Sequence, residues 1–421
     1  MTKVNKNRII FAIIFLSLIV RAIAALIYGD KSLANEWAII IHNFEISGTF
    51  GFNVVISEYL AIPKFAVIGE KVLPSIFMPP LYFYFIYIIN FFANDLLDTA
   101  EVIIYFQIFL SLISIFIFYK LINIIEKDKF FSTFLTFIFG FFPIYVYASS
   151  QISSITLQIF LIITYLFFLL NYQKEKKIKH LIFFSFISGL LILIRGEFIL
   201  FYFLTLVYFF KFYKKDYKSI IISLTVTILI ISPYLYRNYE NFNTLTITKS
   251  IGYNLLKGNN PTFKVEGSDE FISKNFSRKN LRIKTNNNYE INLDNFYKKK
   301  AITYIKDEPL NYLKFYFIKL GSFVMIDLNS SYPNYYNILH TIPKILISLM
   351  SLIGAIIVIS KKGFYQFLSI FYFTNIFLFS VFFILPRYSL ILIPIQLLLS
   401  IEVIKYLRRK LSNNFVNNFF G

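Results

Sequence analysis

Apolar runs of membrane-span length recur along the chain, and nothing else limits so sharply what it can fold into. The first extends from Ile9 to Tyr28; others lie at about 102–122, 130–148, 154–171, 338–360, 364–384 and 389–406. About twenty apolar residues wound into a helix cross a hydrocarbon core of ~30 Å. Shorter runs at about 77–93, 181–194, 198–210 and 219–234 complete the series. Only 15% of the 421 residues are charged, against about a quarter in soluble domains. The expected class is an all-α integral membrane protein with several spans.

The net charge of +19 would suit a nucleic-acid binder, but many of the basic residues stand in short clusters between apolar runs. Cytoplasmic loops of membrane proteins carry such clusters, so no nucleic-acid partner is expected. The chain has no cysteine, which excludes disulfides, thiol nucleophiles and cysteine-ligated zinc. Its three histidines, His42, His180 and His340, fall in far-separated segments, and no metal or other cofactor is expected. The start MTKVNKNR followed by Ile9–Tyr28 resembles a signal sequence, with Ala22-Ile23-Ala24 as a cleavage pattern. The run is long enough to span, however, and reads as an uncleaved first helix.

The basic clusters set the topology. Lys3, Lys6 and Arg8 place the N-terminus in the cytoplasm. Lys127/Lys129, Lys174–Lys179 and Lys211–Lys218 all fall inside only if one run before residue 102 does not cross. The run at 77–93 is the candidate, being short, tyrosine- and phenylalanine-rich and opened by Pro79-Pro80, as interfacial or re-entrant segments are. The count is then ten spans with both termini inside. The expected organisation is a transmembrane module over 1–236 with a first outer loop at 29–101, a hydrophilic outer loop at 237–311, C-terminal spans over 312–410 and a loose cytoplasmic tail at 411–421.

Several outer segments carry candidate chemistry. In the first loop, Trp37, Ile40, Ile41 and Phe44 form one apolar stripe at helical spacing. Such a helix would lie on the membrane surface with Glu36 at the boundary of lipid and water. Glu36 reads either as a solvated loop acid or as a base that takes a proton from an acceptor. Arg195 and Glu197 interrupt an apolar run, either as a pair closing a turn or as a cation facing a polar cavity; a charge at mid-span costs roughly 2.5–3.5 kcal/mol. From Arg237 to Pro309 the chain is hydrophilic. Gly252, Gly258 and Asn259-Asn260-Pro261 read as turns, 295–305 as a helix, and 312–327 as a surface helix.

Four pieces of sequence carry a resemblance. Arg21 in the first span is followed by Glu36-Trp37 and FEISGTFGF. Phe77-Met78-Pro79-Pro80-Leu81-Tyr82 ends the first loop. SPYLYRNYENFNTLTITKSIGYNLLKGNNP opens the hydrophilic segment, and Pro386-Arg387-Tyr388 precedes the last span. In this order they resemble the GT-C-fold glycosyltransferases that use a polyprenyl-phosphate sugar donor, such as protein O-mannosyltransferases and the aminoarabinose transferases of lipid A. The third piece is the most specific.

The resemblance implies a GT-C fold of about ten transmembrane helices, with surface helices in the first outer loop. It also implies sugar transfer, with inversion, from a lipid-borne phosphate to an acceptor hydroxyl on a protein, lipid or glycan. The site would face the periplasm from a bacterial inner membrane. The family's base is usually an aspartate in the first loop; Glu36 stands in its place, with Asp30 as fallback. Cations must meet the departing phosphate, and arginine grips it with two donors. Arg237 is the first choice, then Arg195 and Arg387, with Lys71, upstream of the Pro-Pro turn, as a further candidate. Tyr82, Asn238 and Asn259 complete the implied binding set; Tyr82 also reads as interfacial packing and Asn259 as part of a turn. The rival reading is a transporter or flippase of lipid-linked glycans, which should show internal repeats and mid-span acids.

Overall fold

The computed structural model describes residues 3–33, 35–53, 72–93, 96–212, 217–276, 281, 283, 286–327, 330 and 337–420. Helix α1 (Lys3–Tyr28) leads to α2 (Asn35–Ser47) and to a two-stranded antiparallel ribbon, β1 (Gly51–Asn53) against β2 (Val72–Pro74), with Gly51 opposite Pro74. Then come α3 (Pro80–Asn90), α4 (Leu96–Ile125), α5 (Lys129–Gly140), α6 (Pro143–Ser149), α7 (Ile155–Glu175), α8 (Ile178–Ile194), α9 (Phe198–Phe212) and α10 (Tyr217–Phe242). The hydrophilic segment holds α11 (Ile251–Gly258), α12 (Asp269–Asn275) and α13 (Tyr289–Asp307), followed by α14 (Pro309–Val324). Helices α15 (Ile338–Val358) and α16 (Phe364–Phe379), a 3₁₀ turn at Pro386–Leu392 and α17 (Ile393–Phe420) complete the chain.

The expected class holds: among the described residues the protein is all-α apart from the short ribbon. Among the described residues 6 helices are long and apolar enough to cross a membrane, and 7 if α5 and α6, bent by 51°, form one broken span. The runs at 178–194, 198–211 and 364–379 also form helices, but shorter than a span, so ten crossings go beyond what helix length supports. Helix α3 has 11 residues, about 16 Å at 1.5 Å per residue. That is roughly half the hydrocarbon thickness. Exposed Phe11, Phe15, Phe109, Ile228 and Leu346 give α1, α4, α10 and α15 apolar outer faces.

The break between α5 and α6 has an explicit partner. A broken helix in lipid leaves carbonyls that protein groups must satisfy. Arg21, fully buried in α1, donates from Nη1 to the Gly140 carbonyl at 2.7 Å and stacks over Tyr145, 5.1 Å from its centroid. Gly140 has to be small: a Cβ there would stand 2.9 Å from Ser17 Oγ.

Four sequence-based boundaries shift. The segment Ser232–Phe242 belongs to α10, which carries Pro233 inside the helix, so Arg237 sits on a helix and not in a loop. Gly252 and Gly258 are helical, and close packing accounts for both. A Cβ at Gly252 would meet the Asp294 carbonyl oxygen at 1.9 Å, and one at Gly258 would meet Phe382 and Phe383 backbone at 2.5 Å. The helix expected at 295–305 starts earlier, at Tyr289. The tail at 411–421 continues α17 as far as Phe420. Helices α11, α12 and α13 share a small core of Leu256, Ile272, Phe276, Tyr289, Leu293, Tyr297 and Ala301, separate from the main one.

Candidate functional site

Glu36 lies in the first turn of α2, where the helix dipole favours an acid. The stripe expected to lie on the membrane packs into protein instead: Ile40 and Ile41 are fully buried and Trp37 nearly so. Aromatic contacts explain this. Trp37 meets Tyr82 edge-on at 5.0 Å, and Phe44 meets Phe83 at 5.3 Å and Tyr87 at 4.9 Å. Helix α3 thus takes the place that lipid was expected to fill. Asn43 Nδ2 donates to Gly51 O at 3.1 Å, and Asn90 Nδ2 to Glu45 Oε1 at 2.8 Å. These contacts fix α2 and leave Glu36 pointing out of the packed face.

Glu36 is exposed, yet the protein walls around it push its carboxyl above the ordinary range. The positive charge of Arg387 partly opposes that rise. Arg387, in the 3₁₀ turn before α17, is also exposed. Among the described residues neither side chain makes a hydrogen bond or ion pair, so both are exposed and uncommitted. The structure brings together these two candidates from opposite ends of the chain.

The other candidates are engaged. Asp30 Oδ2 accepts from Ile152 N at 2.7 Å and closes the turn before α7. Tyr82 is buried, with its hydroxyl donating to Gln107 Oε1 at 3.1 Å. Arg237 donates to Ser75 O at 2.7 Å, Asn238 Oδ1 at 2.8 Å and Phe50 O at 2.8 Å, which ties the ribbon to α10. Asn238 is fully buried and donates to Thr246 O at 2.6 Å. Arg195 pairs with Glu197 at 2.7 Å and lies over the rings of Phe379 and Tyr388, at 4.7 Å and 5.4 Å. It therefore supports the residue next to Arg387. Lys71 lies outside the described residues.

Asn259 and a residue that sequence reasoning passed over, Lys319, form a clip. Lys319 is fully buried; its Nζ donates to Asn259 Oδ1 at 2.9 Å, Gly258 O at 3.2 Å and Val381 O at 3.3 Å. Asn259 Nδ2 donates to Val381 O at 2.8 Å. The Gly-Asn-Asn-Pro piece thus holds the strand of chain leading to Arg387. Glu290, also passed over, accepts from Ile76 N at 2.7 Å and Ser75 Oγ at 3.0 Å. Both were hidden because each sits in a helix whose sequence reads as ordinary surface. The signal available for Lys319 was a lysine amid the aromatics of 312–327.

Lys257 and Asp269 pair at 2.5 Å beside Phe383, and Tyr253 donates to the same carboxylate. Among the described residues no three His, Asp or Glu side chains cluster as metal ligands would.

No family model matches the sequence, and no curated protein matches it either. Solved structures do resemble it. The Archaeoglobus fulgidus oligosaccharyltransferase tethered with an acceptor peptide matches with a TM-score of 0.54 and 13% identity, over 97% of this chain and 50% of that one. The same enzyme with Zn and sulfate matches at 0.55 and 13%, over 96% and 50%. ArnT from Cupriavidus metallidurans bound to undecaprenyl phosphate gives a TM-score of 0.41 at 11% identity, over 95% and 77%. The chain spans about half the length of the oligosaccharyltransferase, and the likeness shows the fold: that of the GT-C membrane enzymes.

Proposed function

We propose that this GT-C-fold chain is a membrane glycosyltransferase that moves a sugar from a polyprenyl-phosphate donor to an acceptor hydroxyl at the outer membrane face. The observation that carries this reading is the exposed, uncommitted pair of Glu36 and Arg387, near enough that the arginine's charge acts on the carboxyl. Glu36 takes the acceptor's proton as the hydroxyl oxygen attacks the anomeric carbon. The bond from that carbon to the phosphate oxygen breaks, and its electron pair leaves on the phosphate. Attack opposite the leaving group inverts the centre. Negative charge grows on the phosphate, and a cation fixed beside it lowers its energy more than water would.

A raised carboxyl pKa suits the task, since a general base works best with a pKa nearer the working pH. Arg387 replaces Arg237 as first choice because the Arg237 guanidinium is spent on backbone carbonyls. Arg195 and the Lys319 clip hold the turn on which Arg387 sits. The identity of the donor rests on the sequence resemblance. The test is purified full-length protein with a synthetic polyprenyl-phosphate sugar and a hydroxyl acceptor. A transferase releases polyprenyl phosphate. A protein that only carries the donor between vesicle leaflets, with no phosphate release, is the flippase of the rival reading.

A further inference from the structure

Between α1 and α4 runs an open groove of about 570 Å³, within the roughly 300–1,000 Å³ of ligand sites. Both helices are long and apolar enough to cross a membrane, over Arg8–Tyr28 and Thr99–Ile125. They run antiparallel: Ser17 and Ile115 meet beside Gly140, while the Tyr28 carbonyl and the Gln107 side chain both bond to Gln151. The groove therefore has two distinct ends. Leu18 and Leu112 close the deep one; Asp30, Lys31 and Glu101 stand at the other, where α1 ends and α4 begins. From Glu101 to Leu112 is about 16 Å at 1.5 Å per residue, the depth of one leaflet of a ~30 Å hydrocarbon core.

The floor is apolar. Helix α1 contributes only the small Ala22 and Ala25 there, against Ile104 and Ile108 of α4. Leu26, Tyr105 and Phe109 flank it and are exposed, so the groove opens toward lipid. The mouth differs in kind: it carries two carboxylates and one ammonium. Lys31 and Glu101 are exposed, and among the described residues neither makes a hydrogen bond or ion pair. Asp30 commits Oδ2 to Ile152 N and leaves its other oxygen to the mouth. Glu101 already lies within the span that begins at Thr99, where a charge is costly and calls for a partner. The protein supplies none, so the partner comes from the groove's occupant.

We propose that this groove is a site for a phospholipid whose headgroup carries a primary amine, with one acyl chain along the apolar floor and the headgroup at the mouth. The ammonium of such a headgroup has three N–H donors, which the Glu101 carboxylate and the second oxygen of Asp30 accept. Its phosphate meets the Lys31 ammonium. Bonds between ionised partners are about twice as strong as neutral ones. A quaternary ammonium has no N–H to give. A headgroup with only negative charge, a polyprenyl phosphate included, would face two carboxylates across one lysine. The mouth thus selects the amine by charge and by donors. The site stands on the groove alone and does not depend on sugar transfer.

The test follows binding, not turnover. Purified full-length protein in detergent is melted with increasing amounts of dioleoyl phosphatidylethanolamine, phosphatidylcholine, phosphatidylglycerol or farnesyl phosphate, at constant ionic strength. Phosphatidylethanolamine should raise the melting temperature at concentrations roughly tenfold or more below the other three, the size of one charge-assisted hydrogen bond. Glu101→Gln, at an exposed position, should lose that preference and respond to phosphatidylcholine as the wild type does. Ala22→Phe, also exposed, leaves the mouth intact and fills the floor; it should abolish the phosphatidylethanolamine response. Equal responses of the wild type to phosphatidylethanolamine and phosphatidylcholine would reduce the groove to a surface for any lipid and overturn the proposal. A preference for phosphatidylglycerol or farnesyl phosphate would make it an anion or donor-chain site and overturn it too. So would an undiminished phosphatidylethanolamine preference in Glu101→Gln, or an undiminished response in Ala22→Phe.

Discussion

Glu290, at the start of α13, accepts from the backbone N–H of Ile76 at 2.7 Å and so grips the segment between the ribbon and α3. Arg237 approaches the same stretch from α10 through Ser75 O and Phe50 O. The loop that carries Glu36 is therefore clamped from two directions. Arg237→Ala should lower thermal stability and expose the ribbon to protease, at about 1.5–3 kcal/mol for each charged hydrogen bond lost. Arg237→Lys should recover only part, because a lysine lacks the planar fork. Glu290→Ala should act in the same direction by orphaning Ile76 N. Unchanged melting and proteolysis in Arg237→Ala would remove the clamp.

Lys319 gives a pH test of the second clip. Burial lowers its pKa to about 7 from an ordinary 10.5. Between those values the unfolded chain holds a proton that the folded one has released. Stability from this group therefore rises with pH across the window and is flat below it. Melting temperatures measured from pH 7 to 10 should climb more steeply in the wild type than in Lys319→Met. Gly258→Ala tests the same contact sterically, since its Cβ would strike Phe382 and Phe383 backbone at 2.5 Å. It should cost about 1–3 kcal/mol and reduce transfer by displacing the Arg387 turn. Equal slopes for wild type and Lys319→Met would show that the ammonium is not linked to folding.

Hydropathy made the long helices legible, because a membrane span has to announce itself in twenty consecutive residues. The bent pair at 129–149 was read as one run, since a 51° break at Phe141–Phe142 leaves composition untouched. The stripe on α2 was read correctly as apolar but assigned to lipid; whether an apolar face meets lipid or protein depends on α3, which periodicity within α2 cannot report. Arg237 looked free because a sequence does not show distant carbonyls, and the ones it meets belong to Phe50 and Ser75. Glu36 and Arg387 were both named, but not as neighbours.

Topology is directly testable on a chain without cysteine. Single cysteines at Lys176 and at Thr49 should label from opposite sides, with position 176 reached only after permeabilising cells. The basis is the charge bias of the loops and an α3 too short to cross. Labelling of position 176 in intact cells would invert the orientation and move Glu36 to the cytoplasmic side.

The Glu36–Arg387 pair makes the sharpest claim. Glu36→Gln keeps the shape and removes the proton acceptor, so transfer should fall roughly 10²–10⁴-fold, while phosphate binding survives. Glu36→Asp should keep some activity if α2 can absorb one methylene. Asp30→Asn should have a different signature: its carboxylate holds Ile152 N, so it should lose stability along with activity. The wild-type pH profile should fall on the acid side as Glu36 takes up a proton. Because the protein around it keeps water from this carboxyl and raises it, the fall should come above the pH usual for a glutamate. Arg387 opposes the rise, so removing its charge should raise the carboxyl further. Arg387→Met should therefore move the acid limb to higher pH as well as slow transfer; a merely structural arginine would lower the rate and leave the limb in place. An acid limb unmoved in Arg387→Met, or near-normal transfer by Glu36→Gln, would separate these residues from the chemistry.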